Sequence, residues 1–180
     1  MKTLVDQLSQ YALYHRDKRN IATHFFGIPM IVLGVAVLLG RPQFEVGTMA
    51  LSPAAIVAAV GCLYYLILSL PLGLIMSVLF GAAVYCSHVL AAGSTGVWLS
   101  AGIGLFVVGW VIQFVGHYYE GKKPAFVDDI MGLAIGPLFV VAEACFMLGM
   151  FKKLEADIVA RSGETYIRDM NSGATPTVKH

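Results

Sequence analysis

Charge is what this chain has least of. Of its 180 residues, 12 are Lys or Arg and 11 are Asp or Glu, 13% in all, where an ordinary soluble domain carries about 25%. So few charges cannot cover the surface of a globule this size, which excludes a conventional soluble enzyme, a coiled coil and a disordered chain. The net charge of +1 leaves no broad basic face, so no nucleic-acid partner is expected. Cysteine is scarce as well: Cys62, Cys86 and Cys145 are odd in number, far apart, and each lies in an apolar run. That is neither a disulfide framework nor a zinc spacing, and it reads as three small packing residues. The repeated HxxxH and HxxHH clusters of membrane di-iron enzymes are missing, as are GxSxG, HExxH and any phosphate-binding glycine loop.

What fills the chain instead is apolar: 58% of residues are hydrophobic and mean hydropathy is +0.76. A spanning helix needs about 20 mostly apolar residues. Four stretches meet that length, Ile21–Leu39, Pro53–Leu70, Pro71–Ala92 and Val97–Gly116, and a fifth, Ile130–Phe151, carries Gly136-Pro137 at its middle. The first run begins well inside the chain with no small-residue cleavage site after it, so it is expected to be retained and not to be a signal peptide. Lys2, Arg16, Lys18 and Arg19 precede the first run, and Lys122 and Lys123 follow the fourth. Four crossings put both groups on one side, which the positive-inside rule makes the cytoplasm. Lys152, Lys153, Arg161 and Arg168 follow the fifth run. They stay on that side if the run enters and turns back near Gly136-Pro137, and leave it if the run crosses; the re-entrant or surface-lying form is preferred.

Ahead of the first run, Leu4, Leu8, Tyr11, Ala12 and His15 share a helical face, which predicts an amphipathic helix lying along the membrane. The expected fold is all-α: a polytopic membrane bundle of four spanning helices with this N-terminal helix and a fifth, re-entrant segment. Residues 1–155 read as a single membrane-embedded catalytic domain and 156–180 as a polar tail that frays beyond about residue 160, His180 included.

Four of the five histidines lie in or at the edges of the apolar region. His15 and His24 are nine residues apart, roughly 900° on an unbroken helix and therefore on opposite faces. The turn-prone Arg16-Asp17-Lys18-Arg19-Asn20 allows a break, with Asn20 as N-cap of the first spanning helix, and His15 can then face His24. His117 ends the fourth run on the same side, so three imidazoles can converge at one depth. His88, at the end of the third run, falls on the opposite side and is left out. Trp110, Gln113, His117 and Glu120 form a stripe at three- and four-residue spacings. Within a bilayer such a stripe points to function, or else to hydrogen bonding that holds the bundle together. Glu120, and the pair Asp128-Asp129 beyond it, could complete or orient a metal site. Lys122 and Lys123 could attract an anionic head group or simply fix topology. Three histidines with a carboxylate suit non-haem iron better than haem or zinc here, although imidazole alone does not choose the metal.

The runs YHRDKRNIATHFFGIP (Tyr14–Pro29) and WVIQFVGHYYEGKKPAFVDDI (Trp110–Ile130) together resemble the 2-hydroxy fatty acid dioxygenase family of fungal endoplasmic-reticulum and bacterial membrane proteins. The likeness covers roughly residues 5–155 and is weak in the second and third runs. It implies an iron(II)-dependent α-oxidation, in which a 2-hydroxy long-chain fatty acid reacts with O2 and leaves one carbon shorter, with loss of CO2. On that resemblance His15, His24 and His117 bind Fe(2+), and Glu120 or Asp128 is a further ligand or a base behind it. Lys123 pairs with the substrate carboxylate, and Asn20 is a cap or, less favoured, a donor behind the ligands. The implied location is a bacterial inner membrane or the endoplasmic reticulum, with the site toward the cytoplasm and membrane lipid around it. Two other classes compete: a histidine-ligated haem electron carrier, which would show a Soret band, and a small transporter or structural protein, which would consume no O2 with 2-hydroxy acids. The sequence is silent on oligomeric state.

Overall fold

A computed structural model describes residues 2–46 and 49–170. The chain is built from helices: α1 (Leu4–Ala12), α2 (Lys18–Leu38), α3 (Pro53–Leu68), α4 (Leu70–Ala91), α5 (Thr95–Glu120), α6 (Met131–Met147) and α7 (Lys152–Ser162). Between α2 and α3 lies a small antiparallel ribbon, β1 (Phe44–Val46) on β2 (Met49–Leu51), with Phe44 opposite Leu51. By length and composition α2, α4 and α5 can each cross a membrane. The second expected crossing corresponds to α3, a shorter apolar helix of 16 residues, about 24 Å long against the roughly 30 Å of a hydrocarbon core. Ser69 is extended and Pro71 stands in the first turn of α4, so the chain must leave α3 there. By the same measure of length and composition, α6 and α7, bent by 117° at the break between them, count as a further span only when taken together.

The described residues fall into two compact units. One comprises residues 27–110. Here α2 and α5 touch backbone to backbone: a Cβ on Gly34 would lie 2.7 Å from the Phe106 amide nitrogen and 2.9 Å from the Gly102 carbonyl oxygen. Small residues at such crossings are how helices associate when lipid supplies no hydrophobic drive. Val57, Val60, Leu63, Ile67, Leu74 and Val78 lie open on α3 and α4, a surface suited to lipid and not to water.

The other unit comprises residues 1–26 and 111–180, described to residue 170. Thr3 and Asp6 form a reciprocal capping box that starts α1. The apolar face expected to lie on the membrane is covered by protein instead: Leu8 and Ala12 are fully buried and Tyr11 nearly so, against α6 and α7. The chain does not turn at Gly136-Pro137. Pro137 sits inside α6, where it removes one amide donor without ending the helix. The turn comes at residues 148–151, where Gly149 (φ 76°) and Phe151 (φ 53°) take left-handed conformations. The expected tail is also different, because residues 156–162 continue α7. Beyond them the Tyr166 amide donates to the Arg16 carbonyl at 2.9 Å, and the Tyr166 carbonyl accepts from the Lys18 amide at 2.8 Å. Main-chain pairing therefore docks this stretch on the start of α2. His180 lies outside the described residues.

In this unit α5 approaches α2 at Gly116, where a Cβ would overlap the Thr23 hydroxyl and the Asn20 carboxamide oxygen. Gly116→Ala should therefore destabilise the protein by about 1–3 kcal/mol, seen as a lowered midpoint of thermal unfolding in detergent.

Candidate metal centre

A five-residue link, Leu13–Asp17, joins α1 to α2. It ends where the Asp17 carboxylate accepts the Arg19 amide at 2.8 Å, so Asp17 is the cap of α2, and Asn20, expected in that role, lies in its first turn. The break turns the chain as the histidine spacing requires. His15 lies on the link, His24 in the second turn of α2, and His117 in the last turn of α5. Their ring centres are 4.5 Å (His15–His24), 5.0 Å (His15–His117) and 5.3 Å (His24–His117) apart. One ligand nitrogen from each lies within 4.8 Å of the others, and among the described residues these three form the group able to hold an ion. All three rings are buried.

Their hydrogen bonds fix which nitrogens are free. His15 Nδ1 is 2.7 Å from the Tyr11 carbonyl oxygen and His24 Nδ1 is 2.8 Å from that of Asn20. A carbonyl only accepts, so each Nδ1 carries its proton and each Nε2 keeps a lone pair. Among the described residues His15 Nε2 and His117 Nδ1 have no partner despite full burial. A buried acceptor without a donor is costly, and a cation is the partner that suits several converging imidazoles. Burial first, then the neighbouring His24 and His117 rings, pushes the pKa of His15 well below the ordinary value, which keeps the ring neutral and able to ligate. Tyr11 stacks on His15 at 4.0 Å, and Phe139 lies 5.0 Å from Tyr11 and 5.7 Å from His15. These two rings hold the imidazole plane and wall it with apolar surface.

The Gln113, His117 and Glu120 stripe is buried as its spacing predicts, but Glu120 does not join the three histidines. Its carboxylate is fully buried and accepts from the Arg16 amide at 3.0 and 3.1 Å, the Asp17 amide at 2.8 Å and the Asn20 side-chain amide at 3.0 Å. The Tyr166 hydroxyl adds a fourth donor at 3.4 Å. Glu120 thus grips the link that carries His15, and through Asn20 it reaches the carbonyl that orients His24. Asn20 is thus a donor to this carboxylate and not the cap of α2.

Asp128 and Lys123 stand apart from the rings. Lys123 is ion-paired to Asp128, and the Tyr14 hydroxyl donates to Asp128 at 2.8 Å. Lys123, with Tyr14, holds the Asp128 carboxyl below the usual range. Lys122 donates to the Leu13 carbonyl at 2.7 Å. The loop after α5 is therefore clasped to the residues just before His15. His88 lies in the other unit, 2.8 Å from the Ser52 hydroxyl.

Sequence reasoning gave no role at the site to Arg16, Phe139, Glu143 or Tyr166. Arg16 is buried, donates to the carbonyls of Ala12, His15 and Gly163 at 3.0 Å, and pairs with Glu143 at 3.5 Å. A basic residue beside a basic-rich link gives no signal of burial, and Tyr166 sits in a stretch whose composition reads as frayed.

A family described as Mpo1-like, 2-hydroxy-palmitic acid dioxygenase Mpo1-like, matches residues 1–148. The 2-hydroxy-palmitic acid dioxygenase MPO1 of Saccharomyces cerevisiae is 29% identical over 157 residues, covering 86% of this chain and 87% of that protein. No solved structure matches. All three histidines, Glu120, Lys123 and Asp128 lie inside the matched segment.

Proposed function

Since the chain belongs to the Mpo1-like family, we propose that it is an iron(II)-dependent membrane dioxygenase that converts 2-hydroxy long-chain fatty acids to acids one carbon shorter, with loss of CO2. The observation that carries this reading is the meeting of three buried imidazoles, two of them with nitrogens that have no partner among the described residues. His15, His24 and His117 would hold the ion. When bound, iron(II) supplies the redox chemistry with O2. The stoichiometry closes without another reductant: the hydroxyl carbon becomes the new carboxyl carbon, the old carboxyl leaves as CO2, and O2 takes up the electrons with release of water.

The remaining residues bind, orient and shield. Tyr11 and Phe139 exclude water from one side of His15. Glu120 and Asn20 set the directions of His15 and His24, and the Lys123–Asp128–Tyr14 clasp keeps the outer loop against the link. The basic residues beside the start of α2 and the end of α5 favour a site at the cytoplasmic boundary of the membrane, with the acyl chain remaining in lipid. The haem alternative finds no support in the rings, because His15 and His24 are 4.5 Å apart and inclined at 73°, too close and too nearly edge-on to take a porphyrin between them.

Protein purified without oxygen should contain iron and should convert 2-hydroxypalmitate with O2 to the fifteen-carbon acid, followed by mass spectrometry. Chelation should stop turnover and iron(II) should restore it. Full turnover by metal-free protein would end the iron reading.

A further inference from the structure

Gln113 is almost wholly buried, 4% exposed, and among the described residues its carboxamide nitrogen has no hydrogen-bond partner. It lies four residues before His117 on the same buried face of α5, about 6 Å further from the end of the helix. Leaving such a donor dry and unpaired costs stability, and the cavity-filling alternative, an apolar side chain of similar size, would carry no such penalty. Its place one turn before His117 on that face of α5 indicates that a partner arrives with the ligand.

Resting on the functional reading above, we propose that Gln113 recognises the 2-hydroxyl group of the substrate and is the residue that separates 2-hydroxy acids from unhydroxylated ones. In the orientation given above, α5 ends at the membrane boundary, so Gln113 lies deeper than His117. A fatty acid entering from lipid places its carboxylate nearest that boundary and its C2 oxygen one bond deeper, toward Gln113. A hydroxyl both donates and accepts, so it matches a carboxamide turned either way, whereas a carboxylate can only accept. An acid lacking the hydroxyl would leave the carboxamide unpaired, and a buried polar group left without its partner is what makes a site reject the deoxy analogue strongly. Lys123, the residue expected to meet the acid, is occupied by Asp128, and it would in any case not distinguish the two acids.

The test is equilibrium binding of labelled 2-hydroxypalmitate and palmitate to full-length, iron-loaded protein in nanodiscs without oxygen, so that no turnover intervenes. The wild type should prefer 2-hydroxypalmitate by about tenfold or more. Gln113→Met, equal in length and apolar, should lose that preference by weakening the hydroxy acid alone, with palmitate affinity kept or raised and bound iron unchanged. Gln113→Leu gives a second reading should the methionine variant fail to fold. A variant that keeps the wild-type preference overturns this assignment while the dioxygenase reading stands. A wild type that binds neither acid overturns both.

Discussion

Replacing His117 with alanine should remove the metal and the reaction together, lowering turnover of 2-hydroxypalmitate by about 100-fold or more, since even partners behind a ligand cost about 10–100-fold when lost. Its Nδ1 has no partner among the described residues, while the ring also bonds the Lys122 main chain in the loop after α5, so deleting it withdraws a partner from that loop. His15→Ala would also remove the stacking partner of Tyr11 and the donor to its carbonyl, and His24→Ala would withdraw a donor from the Asn20 carbonyl. Both should abolish activity and in addition lower thermal stability. His117→Ala should retain wild-type helicity by circular dichroism, contain no iron by elemental analysis and form no shortened acid. A variant that keeps its rate takes His117 out of the site.

The parts of the fold that can be read from sequence are those written in side-chain chemistry at helical spacing. The apolar runs give α2, α4 and α5 nearly to their ends, and the polar stripe on α5 correctly places Gln113, His117 and Glu120 on one buried face. The convergence of His15 with His24 follows from the need to break the helix between them, although the residue that caps the break is Asp17 and not Asn20. What is not legible is written in the main chain. Residues around Tyr166 look dispensable by composition, yet their amide and carbonyl pair with Arg16 and Lys18, and backbone groups are the same whatever the residue. The bend after α6 is misplaced for a related reason: Gly136-Pro137 is the stronger breaking signal, but a helix can lose one amide bond, whereas a sharp turn needs the positive φ that Gly149 and Phe151 supply. The amphipathic face of α1 tells that something apolar covers it, and composition alone cannot distinguish lipid from α6 and α7.

Glu120 shows most clearly where a one-dimensional reading of the site stops. A carboxylate three residues beyond an imidazole reads as a ligand or a base, but its hydrogen bonds go to two backbone amides and to Asn20, and no sequence pattern reports those. The two roles predict different kinetics. Glu120→Gln replaces one acceptor oxygen with an NH2 group facing N–H donors, so the link carrying His15 should loosen and iron affinity should fall about 10–100-fold. If the carboxylate works only through this frame, saturating iron(II) should return the variant close to the wild-type kcat. A ligand or general base would leave kcat depressed however much iron is added. Glu120→Ala strands several buried donors at once and should cost about 3 kcal/mol or more of stability at about 1–3 kcal/mol for each, read as a lowered unfolding midpoint of metal-free protein. Because Asn20 reaches His24 from the same carboxylate, Asn20→Ala should also weaken iron binding, and the double variant should lose less than the two single losses combined. Fully additive losses would mean that Glu120 and Asn20 act on the metal separately, and the frame role would fail.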